Sequence, residues 1–366
     1  MVTEQKKIFI LNNSTFADYK HKNEVIKELC KHYKVYVCSP NLGFESELKS
    51  FGCELIDIKM KGRGTNIIEE LEILKQYNKI VKRFRPDIIL TFSIKPNIYA
   101  SIIAKKYKIP YLNSVTGVGK VFQSNSVLNN IIKILYRFAL NKTSMVFFEN
   151  IENKEKFIEN KIINENVNVK LIPGSGVNLD KYSYSPIKKN NSGEIKLLFI
   201  GRVMKEKGIE ELIEASKIIS KKNPKIKCYV IGDLVEDYKY EIMKSPIIYL
   251  GLQEDVRKYI IDSDIIVHPS YHEGMSNVLL EAAAIGRPLL ASNIHGCKEI
   301  VINNYNGFLF ESKSVESLTE SIEKIISINY EDRLEMGKKS RKHVEKNFDK
   351  KIVIKEYLDA VRKYIK

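Results

Sequence analysis

Residues 269–281 read Pro-Ser-Tyr-His-Glu-Gly-Met-Ser-Asn-Val-Leu-Leu-Glu. Just before them, Ile265-Ile266-Val267 is a short buried-strand pattern. The stretch Asn277 to Ala284, rich in Leu and Ala, reads as a helix start. One carboxylate, Glu273, therefore lies in a strand-to-helix loop. The other, Glu281, follows after seven intervening residues and lies inside the helix. Between them, Gly274-Met275-Ser276-Asn277-Val278 brings the helix start, whose N–H groups and partial positive charge suit a phosphate. A loop carboxylate beside such a site can accept hydrogen bonds from sugar hydroxyls, and the helical one can do so for a ribose. Either glutamate alone is an ordinary solvated residue, because charged side chains are mostly exposed. Two distant segments change that reading.

The first is Leu197-Leu198-Phe199-Ile200-Gly201-Arg202, continuing to Lys207-Gly208. An apolar strand ends at Gly201, and Arg202 and Lys207 bracket a loop that opens a helix over Ile209–Ser220. Arg202 can grip a phosphate as a bidentate fork, and Lys207 can serve it as a point charge. The second is Val230-Ile231-Gly232-Asp233, another strand running into a glycine turn, followed by Ile247 to Gly251. These loops follow successive strands at their carboxyl ends, where open α/β sheets bind ligands.

Strand-like runs alternate with helical ones along the whole chain, which predicts α/β with parallel sheets. In the first half, strands are predicted near Ile8–Leu11, Val35–Cys38, Glu54–Ile58, Ile88–Thr91, Tyr111–Asn113, Met145–Phe148 and Val169–Ile172. Helices are predicted over Lys20–His32, Ile67–Arg83, Asn97–Tyr107, Leu128–Leu140 and Glu152–Glu159, with two more over Glu331–Lys346 and Lys350–Tyr364. The Ser-, Pro-, Lys- and Asn-rich stretch Tyr182–Glu194 reads as a linker.

The chain has 366 residues, enough for two domains, with 44% hydrophobic and 29% charged residues, which excludes a disordered protein. No apolar run reaches the roughly 20 residues of a spanning helix. The N-terminal run Ile8–Leu11 is too short for a signal peptide. Five cysteines without C-x-x-C spacing (Cys30, Cys38, Cys53, Cys228, Cys297) predict free thiols in a reducing cytosol. Net charge is +15. Up to Pro186 there are 29 basic and 18 acidic residues, a net +11; from Ile187 there are 31 and 27, a net +4. A basic first half suits an anionic membrane or a phosphorylated substrate. No nucleic-acid-binding motif is present.

The order Gly201-Arg202, then Lys207, then Glu273-x7-Glu281 resembles the retaining glycosyltransferases of family 4, and so do Ile172–Asn178, Ala291–Val301 and Asn306–Leu309. The resemblance covers nearly the whole chain. In the first half, Thr91–Tyr99 and Asn113–Gly119 resemble bacterial enzymes of capsule, O-antigen and N-glycan assembly. It implies the GT-B fold: two Rossmann-like domains with parallel sheets facing across a cleft, and a C-terminal helix returning to the first domain. The expected division is 1–186 for an acceptor domain, 187–348 for a nucleotide-sugar domain, and 349–366 for the returning helix. The implied activity is retaining transfer of a sugar, such as N-acetylgalactosamine or another N-acetylhexosamine, from a UDP-sugar to an undecaprenyl-diphosphate-linked saccharide, with no metal and no cofactor.

The resemblance gives Arg202, Lys207 and Glu273 the catalytic roles. Donor contacts would come from Gly201, Gly232, Leu250, Gly251, His268, Gly274, Glu281 and the amides of Met275, Ser276, Asn277 and Val278. Acceptor contacts would come from Asn13, Lys22, Lys95, Gly117 and Gly119. Many family members carry a first-domain His near the place of Ser93 or Lys95; here Lys95-Pro96-Asn97 stands instead. The pair Asp262 and Asp264 reads as a helix stop and strand start rather than a metal site. The apolar helix Leu128–Leu140, with Lys133, Tyr136, Arg137 and Phe138, reads either as core or as a contact with anionic lipid. In the second case the adjoining loop, with Val121 and Phe122, approaches a lipid acceptor. The implied location is the cytoplasm, peripheral on the inner face of the plasma membrane. A nucleotide-sugar 2-epimerase of the same architecture and a non-enzymatic sugar-binding protein are the competing readings. The first lacks a convincing acid/base set in the first half. The second is usually an exported protein.

Overall fold

A computed structural model describes residues 5–61, 66–117, 126–189 and 192–365. Gly119, Val121 and Phe122 lie outside these described residues. The chain forms two compact units. One comprises residues up to Ser175 together with Ile352–Lys366, and the other Gly176–Lys351.

The first unit is built on a seven-stranded parallel sheet. Its strands are β1 (Lys7–Leu11), β2 (Lys34–Ser39), β3 (Glu54–Asp57), β4 (Ile88–Phe92), β5 (Tyr111–Val115), β6 (Met145–Phe148) and β7 (Val169–Leu171). Their order is β3-β2-β1-β4-β5-β6-β7. Side chains alternate between two apolar layers: Ile8 and Ile10 enter one core, Phe9 and Leu11 the other. This explains why β1 is apolar throughout, as strands covered on both faces must be. The order reverses between β1 and β4, which opens a crevice beyond their carboxyl ends.

The expected helix over Lys20–His32 is broken. A short turn, Thr15–Ala17, leads into a π-helical turn, Asp18–Lys22, and the regular helix runs only over Asn23–Cys30. Asp18 opens the π-helical turn, and its buried carboxyl accepts from Ser39 Oγ at 2.6 Å and from Asn12 Nδ2 at 3.0 Å. The helix expected from Asn97 begins earlier, at Ile94. Pro96 fits its first turn, where no N–H is needed for intrahelical bonding. The C-terminal helix Lys350–Tyr364 supplies Val353, Tyr357, Leu358 and Val361 to the same core as Ile8 and Ile10. Tyr357 OH lies 2.8 Å from Ser114 Oγ.

The second unit has a six-stranded parallel sheet. It contains β8 (Ile195–Ile200), β9 (Ile226–Ile231), β10 (Ile247–Tyr249), β11 (Ile265–His268), β12 (Leu289–Ser292) and β13 (Gly307–Phe310), ordered β10-β9-β8-β11-β12-β13. Leu197 and Phe199 enter one apolar layer, Leu198 and Ile200 the other. The reversal here falls between β8 and β11.

The division at Ser175/Gly176 falls before the expected 186, and the linker-like stretch belongs to the second unit. Val177 N–H donates to Phe348 O at 2.8 Å, and Ser185 N–H to Ile285 O at 2.9 Å. Arg287, fully buried, donates to Ser185 O at 2.7 Å, Ile260 O at 2.8 Å and Ile261 O at 2.8 Å. Arg287→Met keeps the volume but strips those carbonyls of a charged donor. We expect it to cost about 3 kcal/mol in urea unfolding.

Candidate active site

The second unit's crevice is built by two loops that dock on each other. After β8 the chain runs through Gly201 and Arg202 into a single 3-10 turn, Lys205–Lys207, and then into the helix Ile209–Lys222. Gly208 joins turn and helix with φ +74°, and a Cβ there would lie 2.1 Å from Pro269 O. Only glycine permits this approach. The loop after β11 answers it: Tyr271 N–H donates to Glu206 O at 3.0 Å, and Tyr271 OH to Glu211 Oε1 at 2.6 Å.

This docking brings Lys207 and Glu273 together. Lys207 Nζ donates to Glu273 Oε1 at 2.5 Å, and His268 Nε2 lies 2.9 Å from the same oxygen. Ser276 Oγ lies 3.1 Å from His268 Nε2 and also caps the helix Asn277–Ile285 by accepting from Leu279 N–H. The strand end, the loop carboxylate and the helix tip are thus one connected network. Burial alone would raise Glu273, but the His268 hydrogen bond and the charges of His268 and Lys207 outweigh it. They hold its carboxyl well below the ordinary range. Both bonds fall on Oε1, so Oε2 takes neither.

Arg202 stands on the same β8 loop, exposed, and makes no hydrogen bond or ion pair among the described residues. An exposed, unpaired guanidinium is chemically suited to an anion. Gly232 has φ +155°, and a Cβ there would meet Gly201 O at 1.7 Å, so the ends of β8 and β9 close against each other only with glycine. At the end of β10, Leu250 N–H donates to Val230 O and Gly251 O accepts from Gly232 N–H. Of the four amides expected at the anion site, that of Ser276 is engaged, donating to Gly296 O at 3.0 Å. Met275 points its side chain into the core.

Glu281, half-buried, meets a partner that sequence reasoning missed. Burial first, and then the charge and hydrogen bond of Glu281, push the Tyr182 phenol above its ordinary range. Tyr182 was hidden in a stretch that reads as linker. Asp262 ends the helix Arg257–Asp262 and pairs with Lys196, while Asp264 accepts from Lys196 N–H at 2.8 Å ahead of β11. Among the described residues, no three His, Cys, Asp or Glu side chains gather as metal ligands.

The first-unit residues expected at an acceptor are not one cluster. Asn13 is exposed at the tip of β1, and Gly117 borders open space. Lys95 is tied to Glu70 at 2.7 Å and to Lys61 O at 2.9 Å. Lys22 is withdrawn from solvent: its ammonium lies 3.6 Å from Glu149 and over the rings of Phe92 and Tyr357. Burial lowers Lys22 and raises Glu149, each opposed by the other's charge, and burial lifts Asp18 to about 7.

Two family models match the chain, Glycosyl transferases group 1 over residues 180–343 and Glycosyl transferase 4-like over residues 10–150. An N,N'-diacetylbacillosaminyl-diphospho-undecaprenol alpha-1,3-N-acetylgalactosaminyltransferase of Campylobacter jejuni is 27% identical, covering 98% of this chain and 99% of its own. A UDP-Gal:alpha-D-GlcNAc-diphosphoundecaprenol alpha-1,3-galactosyltransferase of Escherichia coli is 27% identical over 72% of each chain. Among solved structures, a Rickettsia africae glycosyltransferase superposes with a TM-score of 0.81 at 23% identity, covering 99% of both chains. Anabaena HepE, solved with UDP and glucose, superposes with a TM-score of 0.77 at 16% identity, over 98% of this chain and 100% of that one.

The Lys207–Glu273 pair also sets a pH dependence. A depressed folded value means that Glu273 contributes its stability fully above the unfolded value near pH ~4.3 and loses it as pH falls through the folded one. Glu273→Gln should be less stable than wild type by about 1–3 kcal/mol at pH 7. In urea unfolding at pH 7 and pH 3, the gap should narrow at the lower pH.

Proposed function

We propose that this chain, which belongs to the group 1 glycosyl transferases and has the GT-B fold, moves a sugar from a UDP-sugar to an undecaprenyl-diphosphate-linked saccharide. The observation that carries this reading is the Lys207–Glu273–His268–Ser276 network at the β8/β11 reversal, with Arg202 on the same β8 loop as Lys207. The relatives named above act on undecaprenyl-diphosphate sugars, and an N-acetylhexosamine donor follows the Campylobacter relative, which covers the chain most completely of the two.

Arg202, Lys207 and the helix tip at Asn277 face the donor diphosphate. Their charges are in place before reaction, so they stabilise the leaving group without reorganising. Glu273 is braced through Oε1 and offers Oε2 to the donor sugar's hydroxyls. A carboxylate held by an ammonium and an imidazole is a poor nucleophile, which favours direct attack by the acceptor over a covalent intermediate. The acceptor hydroxyl attacks the anomeric carbon on the face the diphosphate leaves, the C–O bond to phosphate breaks, and a phosphate oxygen takes the proton. Retention is supported by the alpha linkage in both relatives' names, since UDP-hexoses of this kind are themselves alpha-linked. Arg202, the helix N–H groups and Lys207, which shares its charge with Glu273, supply positive potential to the diphosphate, which supports a metal-independent reaction.

A membrane face is the second part of the proposal. The helix Val127–Leu140 buries Tyr136, which the lipid-contact reading had placed at the surface, and exposes Val127, Ile131, Ile134 and Phe138 along one stripe. Lys105 Nζ sits 3.7 Å from the centre of the Phe138 ring. An apolar stripe with adjacent cations suits an anionic leaflet, and no described helix is long and apolar enough to cross the bilayer. The protein would then work from the cytoplasm, on the inner face of the membrane.

Incubation with a panel of UDP-sugars and a lipid-diphosphate sugar, read by mass spectrometry, should give one product lengthened by one sugar, unchanged in yield by EDTA. Arg202→Ala, Lys207→Ala and Glu273→Ala should each lower turnover by roughly 10²- to 10³-fold with folding intact. Wild-type turnover in all three would refute the site. In flotation assays, the protein should bind vesicles containing anionic lipid, and Ile131→Glu/Ile134→Glu should release it.

A further inference from the structure

The crevice of the first unit contains a backbone that ordinary residues avoid. Ser93, the residue directly after β4, has φ +65° and ψ 165°. This region is populated almost only by glycine, and a side chain there persists only when its surroundings hold it. Ser93 is neither buried in the core nor fully exposed.

What holds it is a chain of hydrogen bonds leading to a buried carboxyl group. Ser93 Oγ has two acceptors within reach, Phe92 O and, at 3.1 Å, Asn12 Oδ1, and Asn13 N–H donates to the same Asn12 oxygen at 2.9 Å. Asn12 Nδ2 donates to Asp18 Oδ1 at 3.0 Å. Asp18 Oδ2 accepts from Ser39 Oγ at 2.6 Å, and Ser39 Oγ accepts from Asn12 N–H at 3.2 Å. Asp18 is fully buried and sits in the π-helical turn that interrupts the regular helix. One carboxylate therefore ties together the loops after β1, β2 and β4, on both sides of the reversal where an α/β sheet receives its ligand. Interior hydrogen bonds in series polarise one another. The single Ser93 hydroxyl proton is given to Phe92 O or Asn12 Oδ1, and among the described residues no group donates to Oγ, which keeps its lone pairs for an incoming donor.

We propose that Ser93 is an acceptor-contacting residue whose oxygen receives a hydrogen bond from a hydroxyl of the acceptor saccharide, and that Asp18, acting through Asn12, is the positioning residue that fixes it. This rests on the transferase reading above. It explains why serine occupies a position whose backbone favours glycine.

The test uses Ser93→Gly, Ser93→Ala and Asp18→Asn in the full chain, with steady-state kinetics in donor and acceptor separately and a thermal melt. Ser93→Gly should melt no lower than wild type, since glycine adopts this conformation without strain. It should nevertheless raise the acceptor KM at least tenfold and leave the donor KM within twofold. Ser93→Ala should share the acceptor defect, and Asp18→Asn should show a smaller one in the same parameter. The inference is overturned if the acceptor KM of both Ser93 variants stays within twofold of wild type, or if donor and acceptor KM rise together. If wild type itself transfers no sugar while remaining folded, the transferase reading falls and this inference with it.

Discussion

The contact on which the second unit's site depends is the seating of one loop on another. Gly208 lies against Pro269 O, and Tyr271 N–H reaches Glu206 O at 3.0 Å. Neither loop alone holds a charge in a defined place. Together they set Lys207 against Glu273, and His268 completes the brace from the end of β11. A partly buried carboxylate of this kind persists only with partners, because desolvation is costly. Here the partners leave one oxygen outside the ion pair. The arrangement is stable without a ligand and still has hydrogen-bonding capacity to offer one.

The same logic governs the first unit in a different chemical form. A second buried carboxylate, Asp18, organises neutral groups instead of a lysine, and its reach extends to the tips of three strands. Its neighbour Lys22 shows what an expectation from residue type leaves out. A lysine beside a ligand crevice looks like an anion ligand, but with Glu149 at 3.6 Å and two aromatic rings beneath it, the ammonium serves the interior.

Much of the architecture was legible because parallel strands covered on both faces are unbroken apolar runs. Met145–Phe148 and Lys350–Tyr364 stand where they were expected, and most other elements differ by a few residues at the ends. The helix expected over Lys20–His32 did not allow for the π-helical turn Asp18–Lys22, because no local pattern marks Asp18, just ahead of that span, as buried. Lys207 and Glu273 could be nominated from chemistry and from family resemblance. Their direct contact, and the shared oxygen, depend on loop docking that no local pattern encodes. Tyr182 was missed because its stretch has the composition of a linker, although backbone bonds from Ser185 and the buried Arg287 bind that stretch to the second unit. The engagement of the Ser276 amide with Gly296 O likewise follows from a tertiary approach.

The central claim is that Glu273, braced by Lys207 and His268, recognises the sugar of a nucleotide donor while the cations and helix tip recognise its diphosphate. Isothermal titration of wild type and Glu273→Gln with UDP and with UDP-N-acetylhexosamine tests it most directly. The account predicts that both proteins bind UDP alike, and that wild type gains affinity from the sugar while the variant gains little or none. Equal gain from the sugar in both proteins, or no binding of UDP to either, would contradict it.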